Sequence, residues 1–361
     1  MTDSADLPTG AAEIPNTAGA PRRSDDVRGG PAPGATPAPR RGRPVPGEPG
    51  WASVSTGSFA SRVLGRFYFL GDFWYRFHYW GIRHRVMGLP INAIFVPFFF
   101  VFLRRICSAI ASNLEPVLGP TSWWRGQRRA FRTMWQWASC RSSRYEYLQP
   151  GIPPPDLELD GIEHWNALTS RPEGFVIVTA HVGNYEAGGI IPNDLIRRRL
   201  HQVRNVEPDP RAQAFVEELL ARHSPPEHVT HFVAEEDFPH VKMGVQLLKA
   251  LRAGELVAMP GDRVTERGGV VETRLFGRPF FVPEGPFGIA RTADVPLISI
   301  YLFNEGRRRF RLAFRPPIEI PRTADRIADR DAAARRYVAD LEWAIRQRPH
   351  QWFCFRDAYS D

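Results

Sequence analysis

Beyond residue 157 the chain alternates between short apolar runs and stretches in which apolar residues return every three or four positions. Residues 175–180, 229–233, 255–259, 295–303 and 310–314 have the length and content expected of strands. Between them, residues 211–222, 240–252, 285–292 and 331–346 carry helical periodicity. This order predicts an α/β domain. No internal repeat is present.

The pattern upstream is different. In RFYFLGDFWYRFHYW, residues 66–80, nine aromatic rings crowd together with Arg66, Arg76 and His78 between them. Rings and basic side chains at this density suit a membrane interface, where one end of each group is apolar and the other wet. An aromatic core helix is the other reading. Next comes VMGLPINAIFVPFFFVFL, residues 86–103, with Asn92 as its one strongly polar side chain and arginines on both flanks. As a helix it would be about 27 Å long, just short of the ~30 Å hydrocarbon thickness. Pro90 and Pro97 should kink it, and basic residues on both sides give no orientation, so a span and a monotopic or re-entrant anchor are both open. Residues 112–147 turn helical and aromatic-basic. Residues 1–50 lack an apolar signal core, contain ten prolines, and are expected to be a disordered tail. The expected organisation is therefore a tail over 1–50, aromatic-rich membrane anchor helices over 51–110, and a globular body over 111–361.

Composition narrows this picture only in places. Lys and Arg outnumber Asp and Glu by 47 to 39, a net charge of +8, which fits an anionic partner without choosing among nucleic acid, membrane and substrate. Nucleic acid is the weakest of these, because no recognised binding motif accompanies the charge. The three cysteines are widely spaced and form no CxxC, which supports neither a disulfide framework nor a cysteine zinc site and points to a reducing, cytosol-facing location.

The candidate chemistry lies in TAHVGNYEAGG, residues 179–189. His181 follows an apolar strand, and ligands of open α/β sheets gather at strand carboxyl ends. Gly183 lets the backbone turn closely, and Asn184 is expected to cap a helix starting near Tyr185, so that His181 and Glu186 face each other. A carboxylate bonded to one imidazole nitrogen raises the basicity of the other, as a general base requires. A capping histidine beside an ordinary first-turn glutamate is the alternative. The chain has no GxSxG elbow, no HExxH and no phosphate-binding GxxxxGK[ST] loop, which leaves acid/base chemistry without a metal, a bound cofactor or an acyl-enzyme. Arg204 in HQVRN and Arg263 in PGDRV each follow a candidate strand, where paired N–H donors would suit a phosphate. Glu284 and Gly285 in VPEGPFG read as a turn and helix start.

HVGNYE resembles the H-x-G-N-[WY]-E signature of the bacterial lipid A biosynthesis lauroyl/myristoyl acyltransferases, relatives of the glycerolipid acyltransferases. RRICSAIASNL before the sheet, then VRNVEPDPRAQAFVEELL, KMGVQLLKALRAGELVAMPGDR, LFGRPFFVPEGPFGIARTADVPLISIYLF and RPHQWFCF after the motif resemble the family in sequence and spacing, so the resemblance covers roughly residues 60–356. It implies a glycerolipid-acyltransferase-like mixed sheet flanked by helices, with an N-terminal membrane-associated helical segment and a catalytic domain over 111–361. It further implies that His181 takes the proton of a lipid hydroxyl, that Glu186 orients and supports it, and that the hydroxyl attacks a thioester of acyl carrier protein or coenzyme A. Gly183, Asn184, Arg204, Asp262 and Arg263 become substrate-binding candidates, with main-chain N–H groups around Gly183 or a positive side chain opposite the oxyanion. The implied location is the inner membrane, with the catalytic domain facing the cytoplasm and a lipid A precursor as the default acceptor. Another lysophospholipid or glycolipid, or a silent lipid-binding protein, are the alternatives. Two departures bear on the substrate: Gly261, Asp262 and Arg263 replace a D-Q-D-like run, and RDAYSD replaces a basic ending after WFCF.

Overall fold

The computed structural model describes residues 72–84, 88–147, 151–186, 191, 195–205, 210–223, 229–234, 240–264 and 268–359. The expected tail over 1–50 and the first part of the aromatic cluster lie outside them. Helix α1 (Asp72–Arg83), α2 (Gly88–Phe102), α3 (Arg104–Asn113), the single turn α4 (Glu115–Leu118) and the long α5 (Trp123–Tyr147) precede the sheet. There follow β1 (Asp156–Asp160), α6 (Ile162–Thr169), β2 (Phe175–Thr179), β3 (Leu200–Asn205), α7 (Pro210–His223), β4 (Val229–Ala234) and α8 (His240–Arg252). The remainder is β5 (Leu256–Pro260), the hairpin β6 (Val270–Leu275) and β7 (Arg278–Pro283), α9 (Gly285–Ala293), β8 (Leu297–Gly306), β9 (Arg309–Phe314), α10 (Arg326–Gln347) and a 3-10 turn, Pro349–Gln351.

Seven strands form one mixed sheet in the order β1-β9-β8-β2-β5-β3-β4. Only β8 and β9 are antiparallel; the other neighbouring pairs run parallel. The central strand β2 reads FVIV because it is covered on both faces. Val176 and Val178 enter a large core with Leu247 of α8, Phe287 of α9 and Tyr337 of α10, while Phe175 and Ile177 enter a second core with Trp165 and Leu168 of α6. The period of two along a strand makes that division. Glu284 and Gly285 do start a helix, α9, and Glu284 pairs with Arg330 of α10 at 2.7 Å.

The missed elements have polar faces. β1 is DLELD at a sheet edge, and β3 is LHQVRN, in which Arg204 lies within the strand and not after it. In the hairpin, β6 alternates exposed and buried residues in strict period, VVETRL, but is too polar to stand out as an apolar run.

The apolar stretch at 86–103 becomes α2 over its described part. Its break falls at Leu103, not at Pro90 or Pro97: Pro97 sits inside the helix, and α3 leaves at 92° to the segment Ile91–Phe102. Among the described residues no single helix is long and apolar enough to cross a membrane. α1 and α2 pack on α5 through a buried polar knot, in which Nε2 of His78 and Nδ2 of Asn92 each lie 2.9 Å from Oγ of Ser142. His78 also meets Tyr145 edge to face, so the inner side of the aromatic cluster serves as core.

Candidate active site

Three adjacent parallel strands bring His181, Asp262 and Arg204 to the carboxyl end of the sheet. His181 follows β2, Asp262 follows its neighbour β5, and Arg204 lies near the end of β3, the next strand over. Gly261 makes the β5 end possible: a Cβ there would stand 2.5 Å from Val178 Cγ1 and 2.7 Å from the Tyr337 ring.

The carboxylate on the imidazole is Asp262. Its Oδ1 lies 2.8 Å from His181 Nδ1, and its Oδ2 accepts the His181 backbone N–H at 2.9 Å. Burial pushes the Asp262 carboxyl up, but the His181 ring, its hydrogen bonds and Arg263 outweigh this and hold it at about 2, below its ordinary 3.8. An ionised carboxylate only accepts, so Nδ1 carries the proton and Nε2 is left with its lone pair.

Glu186, expected on that imidazole, is engaged elsewhere. Arg144 of α5 donates to its Oε2, and Arg141, one turn earlier, stands 3.8 Å from the same oxygen. Burial raises the Glu186 carboxyl, while Arg144, Arg141, Arg204 and His181, in that order, bring it down to about 2. Glu186 therefore lies within the field of His181 and Arg204 but is held by α5. Neither α5 arginine was recognisable from local sequence, since both lie some forty residues before the motif in a helix full of arginines.

Over residues 182–183 the motif is a short extension of β2, and residues 187–190, where the expected helix would run, lie outside the described residues. Val182 bridges Trp352, Gly183 bridges Leu302 of β8, and the Phe353 N–H donates to the His181 carbonyl at 2.8 Å. Gly183 has φ +63°, and a Cβ on it would lie 2.1 Å from the Leu302 carbonyl oxygen. Asn184 caps nothing visible: Tyr185 and Glu186 form a turn, Nδ2 of Asn184 donates to the Cys140 carbonyl at 3.3 Å, and its buried Oδ1 has no partner among the described residues. The expected main-chain oxyanion donors are also taken. Gly183 N–H donates to Gln351 O at 2.9 Å, Asn184 N–H to Leu302 O at 2.7 Å, and Val182 N–H to Ala180 O at 2.7 Å.

Other groups complete the surroundings. The Tyr185 ring lies 4.5 Å from the His181 ring, centroid to centroid, and burial first, then Glu186, pushes its phenol upward, so it remains a neutral O–H. Arg263 donates to the Phe353 carbonyl at 2.9 Å and contributes positive charge at Asp262 and Tyr185. Burial raises the Cys140 thiol to about 12, which removes the nearby sulfur as a nucleophile at neutral pH. A cavity of about 20 Å³ between α5 and the motif is lined by Arg141, Arg144, Asn184 and Glu186. It has room for roughly one water molecule, which the unpartnered Asn184 oxygen could bind.

Asp262, Arg263 and the C-terminal segment that knits the motif all lie within residues 239–360, which match the family model of the bacterial lipid A biosynthesis acyltransferases. Over that stretch the chain is similar to this family, and the match supports the resemblance carried by the motifs. The match supports an acyltransferase activity on lipid. The matched stretch begins after the His181 motif, so the acyltransferase owes the histidine's assignment to geometry and not to the match. No curated protein matches the chain significantly.

Proposed function

We propose that this acyltransferase is a membrane-associated O-acyltransferase. It moves a fatty acyl chain from an acyl thioester, on acyl carrier protein or coenzyme A, to a hydroxyl of an anionic lipid at the cytoplasmic face of the inner membrane. A lipid A precursor is the default acceptor, by family. The carrying observation is the 2.8 Å contact between His181 Nδ1 and Asp262 at the carboxyl ends of β2 and β5.

The chemistry runs through His181 Nε2. It takes the acceptor's hydroxyl proton as that oxygen attacks the thioester carbonyl; the tetrahedral intermediate then expels the thiolate, which recovers the proton from Nε2–H. Asp262 holds the tautomer and supports the imidazolium, which is the orienting role first expected of Glu186. Glu186, fixed by Arg144 and Arg141, adds negative potential beside the ring and locks the motif to α5. With the N–H groups of residues 181–184 engaged, the oxyanion falls to a positive side chain in this reading, and Arg263 supplies positive charge at the site. Arg204 and the partly buried Arg141 make the opposite flank attractive to an anionic headgroup.

The test is His181→Ala in acyl transfer from a radiolabelled thioester to lipid extracts. The expected loss is at least ~1,000-fold in kcat with folding intact. Turnover near wild type would remove His181 from the mechanism. Mass spectrometry of the product identifies the acceptor.

A further inference from the structure

Apart from the buried Asn92, the described side chains of α2 are apolar on its inner and outer faces alike. Ile91, Val96 and Phe99 face the core, yet Ile94 is 73% exposed and Phe98, Val101 and Phe102 lie on the surface beside it. A helix bordering water places polar residues there, and a patch of this kind marks a partner. Length decides how α2 meets a bilayer: Gly88–Phe102 spans about 22 Å, short of ~30 Å of hydrocarbon. At its end the chain turns through 92° into α3, which opens with the exposed Arg104 and Arg105.

A second surface points the same way. α5 begins with Trp123 and Trp124, 55% and 77% exposed, followed by the exposed Arg125 and Arg128. This start is packed on α3, where a Cβ at Gly126 would stand 3.3 Å from Ala111 Cβ. Indole rings with one polar N–H favour the headgroup boundary, and arginines beside them complement anionic lipid. An acidic protein would match the arginines but not the row of exposed aliphatic and phenyl groups on α2.

We propose that α2 and the first turn of α5 form one monotopic footprint on an anionic bilayer. α2 lies in the interface and does not cross it, Trp123 and Trp124 anchor at headgroup depth, and Arg104, Arg105, Arg125 and Arg128 meet the headgroups. The inference rests on the reading of the protein as a lipid acyltransferase, because such a footprint places the site beside its acceptor.

The experiment is co-flotation of the full chain with phosphatidylcholine vesicles, with and without phosphatidylglycerol. Binding should require phosphatidylglycerol and weaken with salt. Trp123→Ser with Trp124→Ser should lower the partition coefficient at least about tenfold. In sealed inverted membrane vesicles, cysteines placed by His84→Cys and Ser108→Cys, on either side of α2, should both react with an impermeant maleimide. Unchanged partitioning of the tryptophan variant, or labelling of the two cysteines from opposite faces, overturns the proposal. So does capture by acidic acyl carrier protein that the same tryptophan substitutions abolish while vesicle binding persists. Acyl transfer to a detergent-dispersed acceptor, assayed in parallel, separates the two ideas. A wild-type protein that floats as expected but transfers no acyl group refutes the enzymatic reading and leaves the footprint standing.

Discussion

Asp262 and Glu186 are both carboxylates near one imidazole, and their partners separate their tasks. Asp262 accepts two hydrogen bonds from His181, one from the ring and one from the backbone. In Asp262→Asn one of these meets an amide N–H₂ instead, so kcat should fall by roughly 100- to 10,000-fold with a small change in acceptor KM. Glu186→Gln should cost less in kcat, since the ring keeps its tautomer; steady-state kinetics on the two variants ranks them, and the reverse order would return the orienting role to Glu186. The same bond carries a pH signature. Asp262 sits at about 2 in the fold against an ordinary 3.8, so its contribution is complete above pH 4 and disappears as the pH falls toward 2. Chemical denaturation at pH 6 and pH 3 should show wild type losing more stability than Asp262→Asn, by an amount on the order of 1 kcal/mol over that part of the window.

At the scale of elements, the motif is stitched between β8 and the C-terminal segment. Gln351 anchors this seam: its side chain accepts the Asn304 N–H at 3.0 Å and donates to the Asn304 carbonyl at 2.7 Å, while its own carbonyl takes the Gly183 N–H. Gly183→Ala combines a left-handed backbone with a contact at 2.1 Å to the Leu302 carbonyl. It should destabilise the fold by about 3 kcal/mol or more and displace His181 with it, as thermal unfolding and turnover would both report. Strands buried on both faces, β2, β5 and β8, were legible because an unbroken apolar run has few other uses. β1 and β3 were not, for their stability comes from neighbours in the sheet and their own letters are half polar. Of the helix expected after Asn184 only Tyr185 and Glu186 lie among the described residues, where they form a turn, and the Asn184 side chain reaches Cys140 instead of capping it.

Across the whole molecule, α5 is the bridge. One stretch of it carries Ser142, bonded to α1 and α2, and Arg141 and Arg144, bonded to Glu186. The helices proposed to meet lipid and the loop proposed to do chemistry are thus fastened to the same two turns. Replacing Arg141 and Arg144 by Gln removes the charges that offset burial at Glu186, so its carboxyl should rise from about 2. A group whose folded pKa is depressed loses its stabilisation as pH falls through that value; in the double variant this loss moves to higher pH. A melting-temperature profile against pH should show the variant's acid limb displaced upward, and an unshifted limb would show that the arginines do not control Glu186.

By itself the sequence determined what depends on neighbours along the chain: the α/β alternation, an apolar helix flanked by arginines, and a histidine set at the end of a buried strand. Tertiary structure decided what depends on strand order and helix docking. The carboxylate that meets His181 lies 81 residues away and arrives because β5 pairs in parallel with β2, while the arginine that holds Glu186 lies 42 residues before it on α5. Local spacing reports only which side chains share an element. Hydrogen bonds and ion pairs form between whatever groups packing brings within about 3 Å, so the partner of each site residue was a property of the fold.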